Sequence, residues 1–212
     1  MTTQPFDFHT HRLDATEALI SVDPRRFLPE PGKWYSVGFH PWDTVEELGA
    51  ADFTLLQQCA SHSQVLAIGE TGLDRLRGAG LEIQRDVFAH HPTLAATLGK
   101  PVVVHSVKTA QEILALRRDM ELTDVILAIH GMRANERVAQ TLLDAGCHLS
   151  FGPKFNPRTL LATPPDRLLI ETDDSGTPIE EVATIVADQL RISADEIIHQ
   201  TRINAQRLLK MP

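Results

Sequence analysis

Residues 101–130, PVVVHSVKTAQEILALRRDMELTDVILAIH, decide the fold. The run Pro101–His105 is continuous in valine rather than alternating with polar residues, and the run Asp124–His130 is similarly unbroken. Near-continuous apolar runs mark parallel strands buried on both faces. Between them, Val107–Met120 carries a helical pattern. Strand, helix and strand in this order form a βαβ unit. Both strands end in a histidine.

Outward from this unit the same grammar recurs. Runs at Pro5–His9, Ala18–Val22, Trp34–Phe39, Val65–Gly69, Cys147–Phe151 and Leu168–Asp173 bring the strands to eight. Helical patterns cover Thr44–Ser61, Gly80–Leu98, Asn135–Ala145, Pro178–Leu190 and Ser193–Lys210. Thr44 is a candidate N-cap with Glu46 and Glu47 in the first turn. Pro92 is expected to kink or split its helix. Gly99 and Gly146 stand where helix C-caps belong, and Ser193 with Glu196 reads as a capping box. Eight buried strands alternating with helices predict an α/β protein, a (β/α)8 TIM-type barrel. The gaps after the first two strands are too short for a helix and its turns. The barrel is therefore expected to be irregular and to lack one or two early outer helices. Loop, terminal helix or another subunit would cover the bare wall. No linker or repeat interrupts residues 1–212, which read as a single domain.

Composition narrows the class. With 42% hydrophobic and 23% charged residues, the 212-residue chain is neither disordered, collagenous nor a coiled coil. No apolar run is long enough for a transmembrane helix, so no membrane association is expected. The N-terminus lacks the basic-then-apolar layout of a secretory signal. Two cysteines, Cys59 and Cys147, make no disulfide framework and read as buried thiols of a cytoplasmic protein. A net charge of −8 argues against a broad basic nucleic-acid-binding face, although bound cations supply local positive charge. Aromatic residues, at 5%, are too few for extensive base-stacking surfaces.

In this fold, chemistry collects where strands end. Read in order, the ends give Asp7, His9 and His11, then His40, then Glu70 and Asp74, then His105, then His130, then Glu171, Asp173 and Asp174. His9 and His11 are two apart, so their imidazoles share a face and suit a cation such as zinc or manganese. Buried imidazoles and carboxylates gathered at one mouth would be costly without a compensating ion. The set is large enough for two metals with a shared carboxylate. No nucleophile motif accompanies it, so direct hydrolysis is expected rather than covalent catalysis. His62, His90, His91 and His199 lie in helical stretches and read as surface or packing residues. His148 reads as a core histidine. Trp42 is a candidate either to stack on a ring or to pack in the core.

The segments DFHTH (7–11), SVGFHPW (36–42), AIGETGLD (67–74), PVVVHS (101–106), AIHGM (128–132), GCHLSFG (146–152), LLIETDDS (168–175) and NAQRLL (204–209) together resemble the TatD family of metal-dependent hydrolases, in a shortened branch. The resemblance implies two divalent ions, Mg2+, Mn2+ or Zn2+. It implies that His9, His11 and Asp173 bind the first, that His105 and His130 bind the second, and that Glu70 bridges them. His40 would face the substrate, Asp173 would deprotonate the attacking water, and Asp74 would orient a ligand. Asp7 would lie behind the ligands or be structural. The implied substrate is DNA or another phosphodiester. Three segments depart from the family pattern. Ser106, Val107 and Lys108 replace Ser–Arg–Asp, Gly131, Met132 and Arg133 replace Cys–Phe–Ser, and DSGTPIEEV replaces a longer loop. Lys108, Arg133, Lys154 and Arg158 are candidate phosphate contacts on rim loops. The alternatives are a metal-dependent hydrolase of small phosphate esters, esters or amides, or a non-catalytic metal-binding barrel. The polymerase-and-histidinol-phosphatase barrels also open with HxH, but their later ligands follow other motifs.

Overall fold

The computed structural model describes residues 4–44 and 48–211. The described residues form eight strands, β1 (Asp7–Thr10), β2 (Ala18–Val22), β3 (Trp34–Val37), β4 (Val65–Asp74), β5 (Val102–Val107), β6 (Leu127–Ile129), β7 (His148–Phe151) and β8 (Leu168–Ile170). Seven α-helices accompany them: α1 (Ala50–Ala60), α2 (Leu81–Leu98), α3 (Ala110–Asp119), α4 (Glu136–Asp144), α5 (Pro157–Ala162), α6 (Ile179–Leu190) and α7 (Ala194–Leu209). The strands form one sheet in chain order, the order of a TIM-type α/β barrel. No helix is long and apolar enough to cross a membrane among the described residues. As expected, no helix follows β1, and a single 3-10 turn at Pro24–Arg26 follows β2.

The chain falls into two compact units, Met1–Ile20 with Ile129–Pro212, and Ser21–Ala128. In the first, β1 pairs in parallel with β2, β7 pairs with β8, and Thr10 bridges to Asp173 just past β8. Phe6, Phe8, Leu149, Phe151 and Leu169 are buried there, under Val182 and Val186 of α6 and Ile197 and Leu208 of α7. Each such side chain contributes about 1.5–3 kcal/mol when fully buried. Ser193 closes the capping box with Glu196 as the sequence predicts. Asn204 donates from its amide to the carbonyls of Pro165 and Leu168, which docks α7 beneath β8.

In the second unit β3, β4 and β5 pair in parallel around Val37, Ile68, Leu73 and Val102–Val104. Three expectations are corrected here. The first helix starts after Gly49 rather than at Thr44, whose hydroxyl instead donates to the Pro41 carbonyl; Glu46 and Glu47 lie outside the described residues. β4 does not stop at Gly69 but runs to Asp74, pairing Gly72 with His105 after a register shift. Gly72 has a φ of 151°, and a Cβ there would collide with the His105 carbonyl, so only glycine brings the strands this close. The third correction is at Pro92. α2 is not split there: it runs unbroken from Leu81 to Leu98, and within it the buried His91 ring donates to the Val87 carbonyl.

Candidate metal centre

In the first unit the ends of β1 and β8 bring His9, His11 and Asp173 together, with donor atoms within 4.8 Å of one another. Asp173 Oδ1 lies 3.7 Å from His9 Nε2 and 3.5 Å from His11 Nε2. Two residues apart on one strand, the imidazoles share a face, and their centroids stand 5.0 Å apart. The Asp173 backbone is held by donating to the His9 carbonyl and accepting from the His11 N–H and the Thr10 hydroxyl. The ring of His130, at the end of β6, lies tilted against that of His9 with centroids 4.3 Å apart, and His130 joins Glu171 and Asp173 in a second donor group.

Glu171 is a residue the sequence reading placed at a strand end without giving it a role. Its Oε1 accepts from the Gly131 N–H at 2.6 Å and lies 3.5 Å from His130 Nδ1. Complete burial opposes its ionisation, but His130, with His9 and Ser150, outweighs that and holds its carboxyl below the usual range. The signal was its place at the end of the eighth apolar run, directly after β8. Asp7 turns away from the donors. Its carboxylate accepts from both the backbone N–H and the hydroxyl of Thr172, and burial outweighs these bonds to push it up to about 7.

In the second unit His40, Glu70 and His105 form a further donor group. Glu70 Oε1 is 2.9 Å from His40 Nε2 and 2.9 Å from His105 Nδ1. His40 Nδ1 accepts from the Trp42 N–H, which leaves the neutral ring's proton on Nε2, facing Glu70. Glu70 and Asp74 reach His105 from the same strand, Asp74 Oδ2 lying 3.2 Å from Nε2. Burial opposes ionisation of Asp74, but bonds from the Trp42 indole, the Leu76 N–H and His105 hold its carboxyl below the usual range.

His91 is buried, and its Nε2 accepts from the N–H of Phe39, beside His40. Burial brings its pKa down to about 4. No signal in the sequence separates it from its exposed neighbour His90, which stacks on Phe53. His148 is not the satisfied core residue expected: it is half-buried at the start of β7, and desolvation, with Arg167 nearby, brings it down to about 4. Trp42 neither packs in the core nor stands free; it donates to Asp74 and keeps 40% exposure. Lys108, Arg133, Lys154 and Arg158 are exposed, and the structure brings none of them into ion pairs or into the donor groups among the described residues.

Imidazole nitrogens and carboxylate oxygens, mostly buried and within a few ångströms, are the donors that divalent zinc and manganese take, so the residues fit a metal. Comparison with known proteins gives the same reading. A family model described as TatD related DNase matches residues 29–210. The uncharacterized metal-dependent hydrolase YabD of Bacillus subtilis (strain 168) is 25% identical over 217 residues, covering 92% of this chain and 83% of that protein. The 3'-5' ssDNA/RNA exonuclease TatD of Musicola paradisiaca (strain Ech703) is 30% identical over 149 residues, covering 66% of this chain and 56% of that protein. The crystal structure of YjjV, a TatD homologue from Escherichia coli K12, superposes over 100% of both chains with a TM-score of 0.86 at 20% identity, which shows the shared TIM-type fold.

Proposed function

The chain belongs to the TatD-related DNase family of metal-dependent hydrolases, and from that membership we propose that it is a phosphodiesterase acting on DNA or another phosphodiester. The observation that carries this reading is the convergence of His9, His11 and Asp173, whose donor atoms lie within 4.8 Å at the ends of β1 and β8. On this reading these three hold one divalent ion, Mg2+, Mn2+ or Zn2+. Glu70 and His105, grouped with His40, supply donors for a second. Ions held there supply positive charge to the attacked phosphorus and ease the ionisation of water.

The chain's own groups do the rest. The Asp173 carboxylate takes the proton of the attacking water. Its backbone bonds to β1 hold it in place, and the Asp7–Thr172 clamp fixes the preceding residue. The remaining His11 edge stays exposed to the incoming substrate. Nε2 of His40, directed at Glu70, keeps that carboxylate oriented, while its exposed side faces the substrate phosphate or leaving group. The relative from Musicola paradisiaca, a 3'-5' ssDNA/RNA exonuclease, favours an unpaired strand end as the substrate.

The test is hydrolysis of a short single-stranded oligonucleotide, a mononucleotide ester and an acyl ester with each of Mg2+, Mn2+ and Zn2+. Oligonucleotide cleavage is expected, stopped by a chelator, restored by metal and falling as salt rises. Asp173→Asn is expected to lower the rate by about 100-fold or more, the usual contribution of a positioned base. Cleavage confined to the acyl ester would overturn the reading.

A further inference from the structure

Trp42 braces the donor group of His40, Glu70 and His105 through His40 and Asp74, yet its ring is left open to solvent. It sits in the 3-10 turn Pro41–Asp43 directly after His40. Its indole N–H donates to Asp74 Oδ2 at 2.7 Å, and its ring lies edge-to-face against His40 and His105, at centroid distances of 4.8 and 5.6 Å. The guanidinium of Arg77 lies over the ring, 4.5 Å from the centroid. The loop that carries Arg77 is fixed from below. Buried Gln84 accepts from the Asp74 N–H and donates to the carbonyls of Asp74, Arg77 and Ala79. Gly78, at a φ of +83°, lets the same loop close against the Pro41 carbonyl. The ring is thus pinned by its edge and lies under the Arg77 guanidinium. Trp42 remains 40% exposed.

We propose that Trp42, with Arg77, is a stacking platform for an unpaired nucleobase of the substrate, set beside His40 and His105. The inference rests on the phosphodiesterase reading and adds the group that the enzyme recognises. The indole's one hydrogen-bond donor is committed to Asp74, so the part of the ring left exposed is aromatic surface with no donor of its own. Such a surface accepts any base and reads no sequence. Arg77 pairs with no carboxylate among the described residues, so its charge is available to the phosphate that accompanies a stacked base. The platform is a single aromatic, which agrees with a chain poor in aromatic residues and too acidic to hold nucleic acid by a basic face.

The experiment compares kcat/KM for a short oligothymidylate with that for the same strand carrying abasic terminal units. The readout is the ratio of the two, which a loss of folded protein does not change. The wild-type ratio is expected to favour the base-bearing strand by about tenfold or more. Trp42→Leu, apolar but not flat, is expected to bring the ratio near one through KM, and Trp42→Phe to retain most of it. Arg77→Ala is expected to raise KM for the base-bearing strand with little change in kcat. A wild-type ratio near one, or a Trp42→Leu ratio equal to wild type, overturns the platform while leaving the phosphodiesterase reading intact. Failure of the metal-loaded wild type to cleave either strand removes the phosphodiesterase reading, and the platform with it.

Discussion

His91 accepts the Phe39 N–H through one ring nitrogen and donates to the Val87 carbonyl through the other, so the fold uses it neutral. Its folded pKa of about 4 lies below the unfolded value of 6.5. The unfolded chain therefore binds the proton first, and stability present above pH 6.5 is lost as pH falls through that window toward 4. The cost is of the order of 3 kcal/mol at the acid end. Urea unfolding at pH 7 and pH 4.5 is expected to show a smaller acid loss for His91→Gln than for wild type. The contrast with His9 and His11 shows what a sequence states about single residues. Their role follows from a two-residue spacing at a strand end. The role of His91 depends on a backbone N–H fifty-two positions away, which no local pattern announces.

At the level of elements, the strands were legible because burial on both faces writes itself as unbroken valine, isoleucine and leucine. Their ends were less so. β4 extends to Asp74 because two glycines and a register shift let ETGLD continue pairing, and such irregularity has no composition of its own. Pro92 does not split α2, and nothing local to the proline announces that the helix runs on to Leu98. α5, six residues capped by Asn156, was too short for a periodicity to form. α7 was read correctly from its capping box, but its docking was not. Asn204→Ala leaves the Pro165 and Leu168 carbonyls without their donor and is expected to cost about 1–3 kcal/mol in chemical denaturation. Ser193→Ala, at the solvent-exposed cap, is expected to cost about 1 kcal/mol.

For the molecule as a whole, eight apolar runs alternating with helical patterns foretold the fold, and the motifs in their order along the chain foretold the family. What the order did not foretell was the Trp42–Asp74 pairing, which depends on one side chain's choice of partner. Metal binding has a global readout. Saturating Mn2+ at about 100 times its dissociation constant is expected to stabilise the wild type by about 2.7 kcal/mol. For a chain of this size that corresponds to roughly 5–10 °C in Tm. His9→Ala is expected to lose the shift along with bound metal in elemental analysis, and His199→Ala to keep both.

The bridge between Thr10 and Asp173 has a further consequence. Residues 9–11 supply two imidazoles and also the main-chain anchors on which the carboxylate beyond β8 rests. On the proposed function, a protease that clipped the chain after residue 11 would therefore disarm the site and loosen the segment past β8 with one cut. Catalytic competence and conformational integrity would decay together, and a preparation's residual turnover would serve as a gauge of how intact its leading end remains.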